Sequence, residues 1–111
     1  MNFLGHHKIF NLQYTRHCTL DKKEIQKLSS GKTSFLGKFV VGNDTNGSPS
    51  TVKINIYVDG EKVYSSGQID CFETEIKPFD IDISGKKKMV IKIVCNHRGN
   101  PFVIGIVDNN N

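Results

Sequence analysis

Residues 51–66 read Thr-Val-Lys-Ile-Asn-Ile-Tyr-Val-Asp-Gly-Glu-Lys-Val-Tyr-Ser-Ser, and this stretch decides the fold. Val52, Ile54, Ile56 and Val58 fall on one face of an extended chain; Lys53, Asn55 and Tyr57 fall on the other. Period two over a full strand length is the pattern of a strand with one side in a core and one in water. Asp59-Gly60 follows directly. Both residues tolerate positive φ, which a two-residue hairpin turn requires, so residues 61–66 are expected to return as the partner strand.

The same alternation extends outward in both directions. Phe79, Ile81 and Ile83 alternate with Asp80 and Asp82, and Ser84-Gly85 then turns the chain. Met89, Ile91, Ile93 and Cys95 form one face of a strand over residues 87–95. Its other face mixes Val90 and Val94 with Lys92, so a central, mostly covered strand is expected. Phe102, Ile104 and Ile106 make a last inward set. Upstream, Phe35, Gly37, Phe39 and Val41 alternate, as do Phe10, Leu12 and Tyr14. Residues 20–28 break the rule: Leu20, Glu24, Ile25 and Leu28 stand at helical spacing. Thr19 is the expected cap, with Ser29, Ser30 and Gly31 at the end. Seven strands, connections too short for parallel crossovers and one short helix make an all-β chain. The expectation is an antiparallel β-sandwich of jelly-roll or galactose-binding-like type.

At 111 residues the chain has room for one domain, read here as 1–111 with residues 109–111 as a frayed tail. The net charge is +4, spread along the chain except at Lys22-Lys23 and Lys86-Lys87-Lys88. The latter run sits in a turn, where lysines are ordinarily solvated, so nucleic acid is not expected as a partner. No apolar run reaches membrane-spanning length. The N-terminus has no signal-peptide pattern. The expected location is therefore cytoplasmic for a whole chain and extracellular for a fragment of a secreted protein. Cys18, Cys71 and Cys95 leave at least one thiol unpaired and form no CxxC; Cys95 is expected as a small buried residue. His6, His7 and His17 lack companion ligands at metal spacing. Asp80 and Asp82 are expected in water rather than as an acid–base pair. With no nucleophile motif and no phosphate loop, the chain reads as a non-enzyme.

If neighbouring strands alternate in direction, three connections collect at one end: residues 42–50, 67–76 and 96–101. The tight turns at Asp59-Gly60 and Ser84-Gly85 go to the other end. The collected segments are polar, and binding residues of sandwiches lie on such loops. The candidate ligand-binding residues are Asn43, Asp44, Asn46, Asp70, Glu73, Asn96, His97, Arg98 and Asn100. Their carboxylates, amides, imidazole and guanidinium suit sugar hydroxyls or a protein surface. No cofactor is implied. For Asn43, Asp44 and Asn46, Asx-turn chemistry, ligand contact and calcium ligation remain open side by side. Tyr14, Tyr57 and Tyr64 are placed on or near polar strand faces, as sugar platforms or simply as good strand formers.

Residues 35–107 resemble the bacterial NPCBM family of carbohydrate-binding modules. The resemblance rests on Phe39-Val40-Val41-Gly42-Asn43-Asp44 and on Val58-Asp59-Gly60-Glu61-Lys62-Val63-Tyr64-Ser65-Ser66. Phe79-Asp80-Ile81-Asp82-Ile83-Ser84-Gly85 and Met89-Val90-Ile91-Lys92-Ile93 continue it in order. The family commonly carries a Trp near the last strand; this chain has none. The resemblance implies a galactose-binding-like sandwich that serves as an accessory module of secreted glycoside hydrolases. Two functions follow as expectations: a non-catalytic module recognising glycans through the loops at one end, or a protein-interaction or structural module on the same frame with the sugar site lost. Oligomeric state is not legible.

Overall fold

The computed structural model describes residues 2–4, 7–11, 16–43, 50–71, 74–95 and 101–108. Among them are nine strands and one helix: β1 (Asn2–Leu4), β2 (His7–Asn11), β3 (Arg16–Asp21), α1 (Lys22–Leu28), β4 (Ser34–Asn43), β5 (Thr51–Val58), β6 (Glu61–Asp70), β7 (Glu75–Asp82), β8 (Lys88–Cys95) and β9 (Pro101–Val107). They form two sheets, ordered β1-β2-β9-β4-β7 and β3-β8-β5-β6, and every pairing is antiparallel. This is the expected β-sandwich. No described helix is long and apolar enough to cross a membrane.

The core lies between the sheets and follows the alternation. Val52, Ile54, Ile56 and Val58 from β5 are buried, as are Met89, Ile91, Ile93 and Cys95 from β8. Phe35, Phe39 and Val41 of β4 face them with Phe79 and Ile81 of β7. The Phe39 and Phe79 rings approach to 4.8 Å between centroids and Phe35 stacks on Phe79 at 5.7 Å. Each such side chain taken fully from water contributes about 1.5–3 kcal/mol. β8 lies between β3 and β5, a central strand as expected.

Four expectations change. The helix begins at Lys22 because Asp21, not Thr19, caps it: the Asp21 carboxylate accepts from the Glu24 N–H at 2.8 Å, and Glu24 accepts from the Asp21 N–H at 3.1 Å. That reciprocal box satisfies two otherwise unpaired donors, which leaves Thr19 and Leu20 in β3. Next, β6 does not stop at Ser66. Gly67, at φ +70°, makes an irregularity in which Ser66 Oγ accepts the Ile54 N–H at 2.9 Å. The strand then resumes to Asp70 with Ile69 buried, and the expected 67–76 loop shrinks. Third, β9 has the opposite phase. Val103 and Val107 face the core, whereas Phe102, Ile104 and Ile106 are half-buried on the outer face. The Phe102 ring lies over Gly42, its cross-strand partner, where a Cβ would stand only 2.7 Å from it. Fourth, Tyr64 turns inward, packing against Phe39 and Phe79 at 6.1 and 6.4 Å, because the second irregularity in the β5–β6 pairing sets it opposite buried Ile56.

Strand count also rises from seven to nine through β1 and β3; of the Phe10, Leu12 and Tyr14 set, Phe10 is in β2 and the other two lie outside the described residues.

Candidate binding end of the sandwich

Registers fix which strand ends are neighbours. At the end of β4, Asn43 pairs with Pro101, the first residue of β9, and Val41 pairs with Glu75, the first of β7. In the other sheet Thr51, opening β5, pairs with Asp70, the last of β6, and Val52 pairs with Cys95, the last of β8. The connections 44–50, 71–74 and 96–100 therefore start and finish at one end of the sandwich, in agreement with the strand parity. The two tight turns lie at the other end: Asp59 donates its N–H to the Lys88 carbonyl at 2.9 Å and accepts from the Lys87 and Lys88 N–H groups at 3.0 and 2.9 Å.

Beneath the gathered connections the floor is apolar and tight. Val41, Val52, Ile69, Cys71, Cys95 and Val103 are all buried. The Cys71 N–H donates to the Ser50 carbonyl at 3.0 Å, which extends the β5–β6 pairing past the last strand residues. Burial, followed by the Asp70 carboxylate and Cys95, pushes the Cys71 thiol up to about 11, so it stays protonated and unreactive near neutrality.

Of the nine candidate residues, the structure places two. Asp70 is exposed at the last rung of β6, opposite Thr51, so it stands on a strand rather than in a loop. Asn43 closes β4 opposite Pro101. Asp44, Asn46, Glu73, Asn96, His97, Arg98 and Asn100 lie outside the described residues. Sequence reading passed over Thr51, Thr74 and Glu75, which border the same end; Thr74 and Glu75 are exposed. Glu75 falls inside the expected 67–76 connection, but the structure makes it the first residue of β7. The charged-and-apolar mix of Glu75-Ile76-Lys77-Pro78 does not alternate, since Ile76 faces outward and is 57% exposed.

Of the other candidates, Asp80 and Asp82 are exposed, Asp82 accepting the Ser84 N–H at 2.9 Å. His17 is exposed on β3, and the described His, Cys, Asp and Glu side chains form no group of three suited to a metal. All three cysteines are buried.

Two antiparallel sheets packed face to face define a class, the β-sandwich domains. The NPCBM/NEW2 domain family model matches residues 24–102, and the chain belongs to that family. Among solved structures it is similar to CBM51 from Clostridium perfringens GH95, solved in complex with methyl-galactose. The TM-score is 0.52 and the identity 21%, over 82% of this chain and 61% of that one. The chain thus spans about three-fifths of the length of that structure, and at that identity the likeness concerns the fold. A looser likeness is to the structure of infectious bursal disease virus Gt strain, at TM-score 0.38 and 16% identity over 95% of this chain and 32% of that one. No curated protein matches the chain.

Proposed function

We propose that this chain is a non-catalytic carbohydrate-binding module that takes its glycan at the end where residues 44–50, 71–74 and 96–100 meet. Asn43, Asp44, Asn46, Asp70, Glu73, Asn96, His97, Arg98 and Asn100 supply the polar contacts, with carboxylates accepting from sugar hydroxyls and amides doing both. The observation that carries the reading is the shared end of three connections, two of them polar throughout, in a chain of the NPCBM/NEW2 family. The similar CBM51 fold, solved with methyl-galactose, makes a galactoside the first ligand to try. A secreted parent protein acting on glycans fits this role.

A glycan array followed by a heteronuclear NMR titration with methyl-galactose tests it. Binding should shift the amide signals of Asp70 and its neighbours. Asp70→Ala should weaken binding by about tenfold, the loss of one charge-assisted hydrogen bond, with the melting temperature unchanged. An array without hits, together with no loop shifts at millimolar galactoside, refutes the proposal.

A further inference from the structure

The outer face of the β3-β8-β5-β6 sheet is chemically unlike the loop end. Its occupants follow from register. Lys53, Asn55 and Tyr57 point outward from β5, between buried Val52, Ile54, Ile56 and Val58. Opposite them on β8 stand Val94, Lys92 and Val90; opposite them on β6 stand Gln68, Ser65 and Lys62. His17 of β3 continues the row beyond Lys92. One rung therefore reads His17, Lys92, Asn55, Ser65 across four strands.

Two independent observations mark this face. The first is charge. Lys53 faces Val94 and Gln68, Lys62 faces Tyr57, and Lys92 faces His17 and Asn55. No carboxylate stands directly opposite any of these lysines, although opposite charges are the pairs that stabilise a sheet surface; Asp70, at the end of the face, is only diagonal to Lys53. With strands about 4.8 Å apart and same-face residues about 6.8 Å apart along them, the lysines share a patch the size of a short oligosaccharide. The second is Asn55. It lies on the solvent side of the sheet yet is only 8% exposed, and its Oδ1 is buried without a hydrogen-bond partner. An unpaired buried carbonyl is costly, and a threonine or valine would fill a strand position better. Tyr57, next along the same face, is half-buried and sets an aromatic ring beside it.

We propose that this face is a second carbohydrate-contact surface and that its ligand is an acidic glycan, a sugar chain bearing carboxylate or sulfate groups. Lys53, Lys62 and Lys92 meet the anions, and a sugar hydroxyl donates to Asn55 Oδ1. Lys92, half-buried directly opposite Asn55, has a flexible stem that can move aside to open the carbonyl. The inference rests on the carbohydrate reading above but uses different residues from the loop end. An acidic glycan is favoured over nucleic acid because, among the described residues, the patch carries one aromatic side chain and no arginine. The unpaired acceptor also calls for a hydroxyl donor, which every sugar residue offers.

The test is affinity electrophoresis and calorimetry with polygalacturonate and chondroitin sulfate, beside methyl-galactose, polyglutamate and single-stranded DNA. The variants are the double Lys53→Ala/Lys92→Ala, Asn55→Val and, for the loop end, Asp70→Ala. All four substitutions are at sites where the fold tolerates them: Lys53 and Asp70 are exposed, Lys92 is half-buried on the outer face, and Val is a good strand former that removes the unpaired acceptor. An acidic polysaccharide should retard the protein. The double lysine variant should lose about tenfold or more in affinity and Asn55→Val several-fold, consistent with lost charge-assisted and neutral hydrogen bonds. Methyl-galactose binding should be unaffected by either and lowered by Asp70→Ala. Absence of retardation by both acidic polysaccharides overturns the proposal, as does wild-type affinity in both sheet-face variants. Retardation by polyglutamate or DNA at the same strength, insensitive to Asn55→Val, also overturns it by reducing the patch to bulk charge. If methyl-galactose fails to bind while acidic glycan binding needs the sheet face, the loop-end reading falls and this one stands.

Discussion

Gly37 and Gly42 sit five residues apart on β4 and answer to different constraints. A Cβ on Gly37 would collide with the main-chain carbonyl oxygen of Ile106 and come within 2.7 Å of the Phe79 ring. Neither obstacle yields, since one is backbone in a sheet rung and the other is wedged between Phe35 and Phe39. A Cβ on Gly42 meets only the far edge of the Phe102 ring, on the half-buried outer face. Gly37→Ala should therefore cost about 3 kcal/mol, while Gly42→Ala costs about 1 kcal/mol as the ring swings aside. Urea unfolding of the two variants side by side checks the ranking. The alternation of Phe35, Gly37, Phe39 and Val41 made the face of Gly37 legible. The ring that presses on Gly42 was not, because nothing local tells Phe102 which side of β9 to take.

The β5–β6 hairpin shows how an element gains a role beyond its own turn. Asp59 at φ +49° and Gly60 at φ +88° make the tight turn that the Asp-Gly pair announces. The carboxylate then reaches across to accept from the Lys87 and Lys88 N–H groups, 28 and 29 residues on, tying the hairpin to the start of β8. Asp59→Ala should lose the two side-chain bonds and some turn preference, about 2 kcal/mol in all. Asp59→Asn, which keeps the turn and a neutral acceptor, should lose about half of that. Thermal melts of both variants give the comparison. The contrast between β5 and β9 explains which strands sequence could place. β5 has water on one side, so polarity writes its phase into the chain. Residues 101–107 are apolar on both faces, so period two is satisfied by either phase, and cross-strand register with β4 chooses between them. β6 was cut short for a related reason: glycine is read as a stop, whereas Gly67 serves as the positive-φ residue of an irregularity inside a continuing strand.

At the scale of the whole molecule, the two sheets close over a core that also buries titratable groups. The Cys71 thiol holds its proton to about 11 in the fold against an ordinary 9.0, chiefly through burial. The unfolded chain surrenders that proton first. Between those values the unfolded state binds fewer protons than the folded one, so stability falls as pH rises through the window. Burial likewise pushes the Tyr64 hydroxyl up, which adds slope of the same sign. Stability should be flat in these groups below pH about 9 and decline toward about 11. Cys71→Ala, though less stable at neutral pH through the cavity it leaves, should show a shallower decline. Urea midpoints across that range provide the measurement. In the native protein at pH 8, the same thiol should resist alkylation until denaturant is added.

What the sequence alone determined is the sandwich frame. Alternation, turn chemistry and strand parity are local, and together they placed the core faces of β4, β5, β7 and β8 and sent three connections to one end. Tertiary structure decided what depends on contact between distant segments: the phase of β9, the inward turn of Tyr64, the reach of Asp59 and the extension of β6 to Asp70. It also brought His17, Lys92, Asn55 and Ser65 into one rung, from strands spread over residues 16–95. No local pattern encodes such a row, because lysines and an asparagine on a solvent face look alike in any strand. Only the register between strands makes them neighbours, and only packing leaves the Asn55 carbonyl buried and unpaired.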